Sequence, residues 1–304
     1  MLFLSSGDIL ADRRYDLARR YAADGDLAAA ADLFAQAVEL SPGFAAAWFA
    51  LGETRATLGD RGGAIAAFAK ARDTDPRDHH GAALALARLG AADPASAALR
   101  TYVRTLFDQY APRFDRALAD LSYRAPALLQ DAIAALCAAE GRSMRHGTML
   151  DLGCGTGLGG AAFRARVDWL VGVDLSPKMV EVARQKRLYD RLVVGEIEEF
   201  LAGETECGFH LVIAADVFAY MAGLEAVCGA VERVLVPGGL FGFTVETHAG
   251  EGAIVGPKMR YAHGEKFIRD AIADAGLTLV ALTQVSTRTE NRLPVPGLLV
   301  VARR

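Results

Sequence analysis

Met149-Leu-Asp-Leu-Gly-Cys-Gly-Thr-Gly157 is the stretch that decides the fold. The apolar run from Met149 to Leu152 is short, holds one acid, Asp151, and stops at Gly153, which predicts a buried parallel strand. Gly153, Gly155 and Gly157 permit a tight turn lying close to a ligand. Residues 159–164 then continue as a helix. A nicotinamide fingerprint needs Gly-x-Gly-x-x-Gly or Ala, and here the sixth position is Leu158, so that match fails. A phosphate-cradling loop needs Gly-Lys-Ser/Thr, and none follows.

Working outward, residues 169–174 form a second strand ending in Asp174, 23 residues past Asp151. An acid near that spacing accepts hydrogen bonds from ribose hydroxyls in doubly wound folds, and a carboxylate offers two acceptors for two donors. Ser176 and Pro177 supply an N-cap and first position for the next helix. Residues 191–195 are a third strand, followed by Glu196 and Ile197. Residues 209–216 are the fourth, and its end, Asp216 to Tyr220, falls at the topological switch point where ligands bind. A helix over 224–235, a turn at Pro237-Gly-Gly and a fifth strand over 240–245 follow, then a helix over 265–275 and strands over 277–286 and 298–302.

Asp-x-Gly-x-Gly-x-Gly with Asp174 closing the next strand resembles the class I S-adenosylmethionine (SAM)-dependent methyltransferases. The resemblance implies an α/β fold, a Rossmann-like seven-stranded doubly wound sheet ending in an antiparallel hairpin. It implies SAM as cofactor and S-adenosylhomocysteine as product. It sets Leu175 and Met179 against the adenine, Glu196 on the adenine amino group where the family usually has Asp, and the Ile197 backbone on the ring. The expected cofactor set is therefore Asp151, Gly153, Gly155, Gly157, Asp174, Leu175, Met179, Glu196, Ile197 and Asp216. Phe-Asp-x-x-Ala segments like Phe107 to Ala111 precede the domain in that family as a lid, which makes Tyr110 a candidate lid contact. Phe107, Tyr110 and Phe114 also share one helical face, and Pro112 should kink or restart that helix.

Methyl transfer from a sulfonium is an in-line displacement that needs alignment, exclusion of water and, for some acceptors, removal of a proton. His248, His263 and Glu246 are the candidate bases, with Tyr220 or Tyr261 as orienting hydroxyls. The plainer alternatives are a helix cap for His263 and loop surface for His248. Arg260 and Arg288 suit an anionic substrate group, or ordinary salt bridging. Tyr110, Phe218, Glu246, Arg260, Tyr261 and Arg288 make up the expected acceptor side.

The N-terminal third repeats at 34 residues. Gly25/Gly59, Ala30/Ala64, Phe34/Phe68, Ala37/Ala71 and Pro42/Pro76 recur identically, and Leu17 and Tyr21 precede them as Trp48, Leu51 and Gly52 do in the next register. Period and residue types resemble the tetratricopeptide repeat (TPR): small residues let two helices approach, aromatics fill the gap, glycine turns the hairpin and proline ends it. A capping helix is expected over 79–89. The repeats fit a groove for a peptide or partner, or equally a structural or dimerising appendage. The expected boundaries are 1–92 for the repeats, 93–140 for connecting and lid helices with Asp93 or Ser96 as a cap, and 141–304 for the methyltransferase domain.

The 304 residues carry a net charge of −4, which gives no global basic field for nucleic acid. Four dispersed cysteines without C-x-x-C fit free thiols better than disulfides or zinc. His79-His80 reads as turn histidines, and no metal is expected. No apolar run spans a bilayer and the start lacks a basic n-region, so a cytoplasmic protein is expected. The reading is an enzyme moving a methyl from SAM to an O or N acceptor on a small molecule or a repeat-recruited peptide. The alternative is a non-catalytic interaction protein whose SAM site is structural or vestigial.

Overall fold

The computed structural model describes residues 5–92 and 96–304. Met1 to Leu4 and the expected cap Asp93 lie outside the described residues. The chain divides into two compact units, Met1–Gln109 with Pro257–Met259, and Tyr110–Gly256 with Arg260–Arg304.

The first unit is helical: α1 (Ile9–Asp24), α2 (Leu27–Leu40), α3 (Ala45–Thr57), α4 (Arg61–Thr74), α5 (Ala82–Arg88) and α6 (Ser96–Tyr110). Asp8, Asp26 and Asp60 cap α1, α2 and α4 by accepting from free N–H groups of the first turn. Gly25 and Gly59 take the left-handed turns at φ 88° and 82°. The recurring alanines and phenylalanines are all buried, Phe34 and Phe68 at 2% and 0% exposure. Gly52 is explained by close approach: a Cβ there would sit 2.6 Å from Cδ1 of Phe68. Leu51 is buried, since α2 packs on α3, whereas Leu17 and Tyr21 at the matching face of α1 are exposed. No described helix precedes α1 to cover them. Buried Asp78 accepts from Ala82 and Ala83 N–H and so caps α5. His79 pairs with Asp75 and His80 stacks on Phe49, so both have structural partners.

The second unit opens with a 3-10 turn (Ala111–Arg113) begun by Pro112 at its first turn, as the kink at Pro112 anticipates. Then come α7 (Phe114–Asp120), α8 (Ala125–Ala139), β1 (His146–Leu152), α9 (Leu158–Phe163), β2 (Val167–Asp174), α10 (Pro177–Gln185), β3 (Arg191–Val194), α11 (Ile197–Gly203) and β4 (Phe209–Ala214). A second 3-10 turn (Phe218–Tyr220) leads to α12 (Glu225–Val234), β5 (Leu235–His248), β6 (Ala253–Val255), β7 (Tyr261–Gly264), α13 (Glu265–Asp274), β8 (Thr278–Val285), β9 (Thr289–Glu290), β10 (Leu293–Pro294) and β11 (Gly297–Arg303).

The main sheet runs β3-β2-β1-β4-β5-β11-β8. Its first five strands are parallel, and β11 is antiparallel to both neighbours. Side chains alternate between two cores. Leu150, Leu152, Val212, Phe241 and Val300 face α11, α12 and α13. Met149, Leu211, Ile213 and Val301 face α8 and α9. Asp151 shares the register of Met149 and so points toward this second face. The seven-stranded path is the expected one, but the sheet has nine strands. β4 stops pairing with β5 at Ala214↔Phe243, and β5 continues to His248. That open edge is taken by β7, which pairs Glu246↔Ala262 to His248↔Gly264, with β6 antiparallel beyond it. Between the fifth strand expected over 240–245 and the helix expected over 265–275, the chain is therefore partly sheet. The fifth strand also starts earlier, at Leu235, and takes the Pro237-Gly-Gly segment in by a register shift.

Candidate functional site

The glycine loop after β1 is held by its own backbone and by the end of β2. Cys154 N–H donates to Val173 O at 2.9 Å, and Gly157 N–H to Cys154 O at 2.8 Å. Gly153, Gly155 and Gly157 have φ of 61°, 53° and 92°, a region that favours glycine. Gly153 also faces Val217, whose Cγ2 would lie 2.6 Å from an added Cβ. Asp174 ties the two strand ends together: one oxygen accepts from Gly155 N–H at 2.8 Å and the other from Ser176 N–H at 2.8 Å. Ser176 caps α10 by accepting from Met179 N–H. Leu175 is half-buried and Met179 is buried. Glu196 caps α11 by accepting from Glu199 N–H at 3.0 Å, with Ile197 beside it partly buried.

Asp151 is 2% exposed. Burial pushes its carboxyl up to about 7, against a hydrogen bond from Tyr189 that works the other way. Tyr189 Oη donates to Asp151 Oδ2 at 2.6 Å and accepts from Gly160 N–H at 3.0 Å. Nothing in the sequence flagged Tyr189, which lies 38 residues from its partner.

The segment before the domain meets this loop. The Thr156 hydroxyl donates to the Asp115 carboxylate, whose other oxygen pairs with Lys186 Nζ at 2.6 Å. Phe114 lies within 3.8 Å of a Cβ built on Gly155. Tyr110 is 39% exposed and is covered by the Arg113 guanidinium, 4.9 Å from its ring centroid.

At the end of β4 the structure gathers residues that are distant in sequence. Asp216 adopts a left-handed conformation, φ 57°, uncommon for a non-glycine residue. Its N–H donates to Thr244 Oγ1, which donates back to Asp216 Oδ1 at 2.8 Å. Thr287 and Arg288 donate to its other oxygen at 2.9 and 2.6 Å. Arg288 also pairs with Glu246 and, at 3.1 Å, with Glu290. Arg260 bridges the same two glutamates, at 2.5 Å to Glu246. Two guanidiniums are thus enclosed by three carboxylates, and both arginines meet carboxylates of the chain itself. Burial tends to lower the Arg288 guanidinium, but Asp216 and Glu246 outweigh it and raise it. Arg124 N–H donates to Thr287 O, and Thr289 N–H to Leu121 O, so Tyr123 is laced against this cluster. Burial, with Asp216 beside it, pushes the Tyr123 hydroxyl well above its usual value. Tyr220 is raised by burial too, and Phe218 is buried against Phe241 and Phe243.

The two histidines stand apart from that cluster. His248 Nδ1 accepts from Gly250 N–H at 3.0 Å and its Nε2 lies 3.2 Å from Gly252 O, so both nitrogens are engaged within their own loop. His263 has no exposed surface, and its Nε2 donates to Met221 O at 3.0 Å, bracing the turn that holds Tyr220. Its Nδ1 is buried without a hydrogen-bond partner. Tyr261 is buried beside it, ring centroids 6.5 Å apart. Among the described residues no group of three or more His, Cys, Asp or Glu is placed to hold a metal ion. Asp115, Tyr123, Tyr189, Thr244, Thr287 and Glu290 had no motif to mark them, because only the sheet order brings them to the strand ends.

Residues 149–239 match the family described as methyltransferase domain, and residues 21–89 the tetratricopeptide repeat. The chain is 30% identical over 174 residues to human methyltransferase-like protein 27, covering 56% of this chain and 66% of that protein. It is 28% identical over 166 residues to a malonyl-[acyl-carrier protein] O-methyltransferase of Serratia marcescens, covering 55% and 61%. The chain thus spans just under two thirds of the length of these curated relatives. Among solved structures, the [4+2]-cyclase SpnF aligns with a TM-score of 0.55 at 18% identity, over 67% of this chain and 96% of that one. The putative methyltransferase in complex with the Haloferax volcanii Trm112 activator aligns at 0.50 and 21%, over 65% and 96%. These two likenesses establish the fold alone. With the sheet order, the glycine loop and both domain matches in hand, the chain has the class I methyltransferase fold over its C-terminal unit and a tetratricopeptide-repeat match over residues 21–89.

Proposed function

We propose that the chain is a SAM-dependent methyltransferase acting on an O or N acceptor of a small molecule, or of a peptide brought by the repeats. The observation that carries this is the joined strand end: Asp174 bonded to Gly155 N–H and Ser176 N–H, above Asp151, at the switch point of the sheet. A carboxylate oxygen accepts more than one donor, so an Asp174 oriented by these two amides is suited to ribose hydroxyls. Glu196 has one oxygen on its helix cap and the other for the adenine amino group, with Leu175, Met179 and Ile197 as the apolar surround. When bound, SAM supplies an electrophilic methyl on a good leaving group. The chain's residues bind it, orient the acceptor and exclude water.

The acceptor approaches at Phe218 to Tyr220 and the end of β5, with Tyr110 on the approach side. Tyr220 is the orienting hydroxyl there. Both His248 nitrogens and His263 Nε2 are engaged with backbone partners, and His263 has no exposed surface, which favours an acceptor that does not depend on a histidine base. Glu246, at the end of β5 in the cluster with Asp216 and Glu290, is the remaining candidate base. The repeats present Leu17 and Tyr21 on an uncovered helix face, which suits a peptide or a second copy of the chain. The boundaries we adopt for these roles are 1–92, 93–140 and 141–304, in a cytoplasmic setting. Titration calorimetry with SAM and S-adenosylhomocysteine, followed by a methylation screen over metabolite and peptide pools, tests this. Absence of binding to either nucleoside refutes it.

A further inference from the structure

We propose that Tyr189 is a positioning residue of the cofactor site, whose hydroxyl holds the Asp151 carboxylate oriented and ionised beneath the glycine loop. Tyr189 lies between α10 and β3, outside every motif of the loop. Its hydroxyl is fixed from both sides, accepting from Gly160 N–H at 3.0 Å and donating to Asp151 Oδ2 at 2.6 Å. The ring is fixed as tightly. A Cβ on Gly160 would lie 2.5 Å from its Cζ, one on Gly172 2.8 Å from its Cε1, and one on Gly157 3.1 Å from its Cε2. Three glycines, in the loop, in α9 and in β2, therefore leave room for one aromatic ring. Gly159 leaves room for its partner, since a Cβ there would lie 2.6 Å from Asp151 Oδ2. A plain turn glycine has no need of such clearance, whereas a seated tyrosine under a carboxylate does.

The chemistry follows from the charges around Asp151. Burial disfavours its ionised form, and Asp174 nearby disfavours it further. Burial raises the Cys154 thiol and the Tyr123 hydroxyl far enough to leave both neutral. The favourable contributions come from the Tyr189 hydroxyl and the Gly160 amide. A cationic ligand at the loop binds the ionised carboxylate better than the protonated one. Tyr189 therefore sets the pH range over which the site accepts such a ligand.

The test compares wild type, Tyr189→Phe, Asp151→Asn and the double variant in the full chain. Phenylalanine keeps the ring packing and removes only the hydroxyl. Two readouts are used between pH 6 and 8.5: SAM affinity by calorimetry, which rests on the cofactor reading above, and thermal melting without ligand, which does not.

With the wild-type carboxyl near 7 and its unfolded value near 4, the folded state holds the extra proton between those limits. Wild-type stability from this group thus falls as pH rises toward 7 and levels off above it. In Tyr189→Phe the level-off point and the midpoint of SAM affinity should both move up by about one to two pH units. SAM binding should then be roughly five- to fiftyfold weaker at pH 7, with the deficit shrinking by pH 8.5. On the Asp151→Asn background the same substitution should shift neither.

An unmoved midpoint, a loss of equal size at every pH, or a shift that persists on the Asp151→Asn background would overturn the proposal and leave Tyr189 as packing. If wild type binds no SAM at any pH, the proposed function falls, and the melting curves still decide the role of Tyr189.

Discussion

Replacing Arg288 with methionine should cost about 3–4 kcal/mol at pH 7. Arg288 is 6% exposed and meets Asp216, Glu246 and Glu290 at once. Methionine keeps much of the volume but removes the charge and the donors, leaving Asp216 without its cation and Glu246 and Glu290 with Arg260 alone. Like charges about 4 Å apart at an effective dielectric near 20 repel by about 4 kcal/mol. The cluster has an escape, which is to protonate one carboxyl. Doing so at pH 7 from an unfolded value near 4.3 costs about 2.7 × 1.36, or roughly 3.7 kcal/mol, and this caps the loss.

The cap also fixes the pH dependence. In the variant one carboxyl has a folded pKa raised above its unfolded value, so the folded state binds the extra proton and the penalty shrinks by about 1.4 kcal/mol per pH unit toward pH 5. In wild type, burial works to raise the Glu290 carboxyl, but Arg260 outweighs it and holds it below its usual value. There the stabilisation is present at neutral pH and is lost as pH falls through the folded value. The two curves must therefore converge on acidification. Urea unfolding in a Trp48→Phe background leaves Trp169 as the sole tryptophan and reports the 110–304 unit alone. A loss under about 1 kcal/mol at pH 7, or one undiminished at pH 5, would show that solvent screens the cluster and would refute the reasoning.

Asp174→Ala should weaken SAM binding by about 1–3 kcal/mol in calorimetry, and an unchanged affinity would remove Asp174 from the site. Gly52→Ala should destabilise the helical unit by about 1–3 kcal/mol, read from Trp48 fluorescence in a Trp169→Phe background, because the new Cβ would press on the buried Phe68 ring. A neutral result would mean that α3 and α4 are not in close contact there. His263 has its imidazole held below the usual value by burial, against the Met221 carbonyl. The unfolded chain takes up that proton near pH 6.5 and the folded chain does not, so stability should fall from pH 7 to 5. His263→Gln should flatten that slope in pH-resolved melting, and an unaltered slope would assign it to other groups.

Most of the first-order architecture was readable because it depends on short-range rules. The 34-residue period, the turn glycines Gly25 and Gly59 and the buried Phe34 and Phe68 express helix-hairpin packing that repeats locally. The strand–glycine–helix unit at Met149 to Gly157 and the acid at Asp174 express a backbone geometry with a fixed spacing. The additional strands β6 and β7 escaped a periodicity reading because three- and four-residue strands carry almost no alternation. They form only because β5 outruns β4 and leaves unpaired backbone groups.

The acceptor side shows the same division. Residue type lets Arg260 and Arg288 bind an anionic group or form salt bridges, and by itself does not separate these. The structure encloses both with Asp216, Glu246 and Glu290, which lie far apart along the chain. By itself the sequence determined that two helical repeats precede a doubly wound sheet with a glycine loop between two strand-end acids. Only the tertiary structure decided what surrounds those acids: Tyr189 under Asp151, the caged arginines beside Asp216, and the histidines turned to backbone. Periodicity and turn chemistry act over a few residues and are written in order along the chain. Burial and charge act through space, and at these strand ends space is set by the order of the sheet.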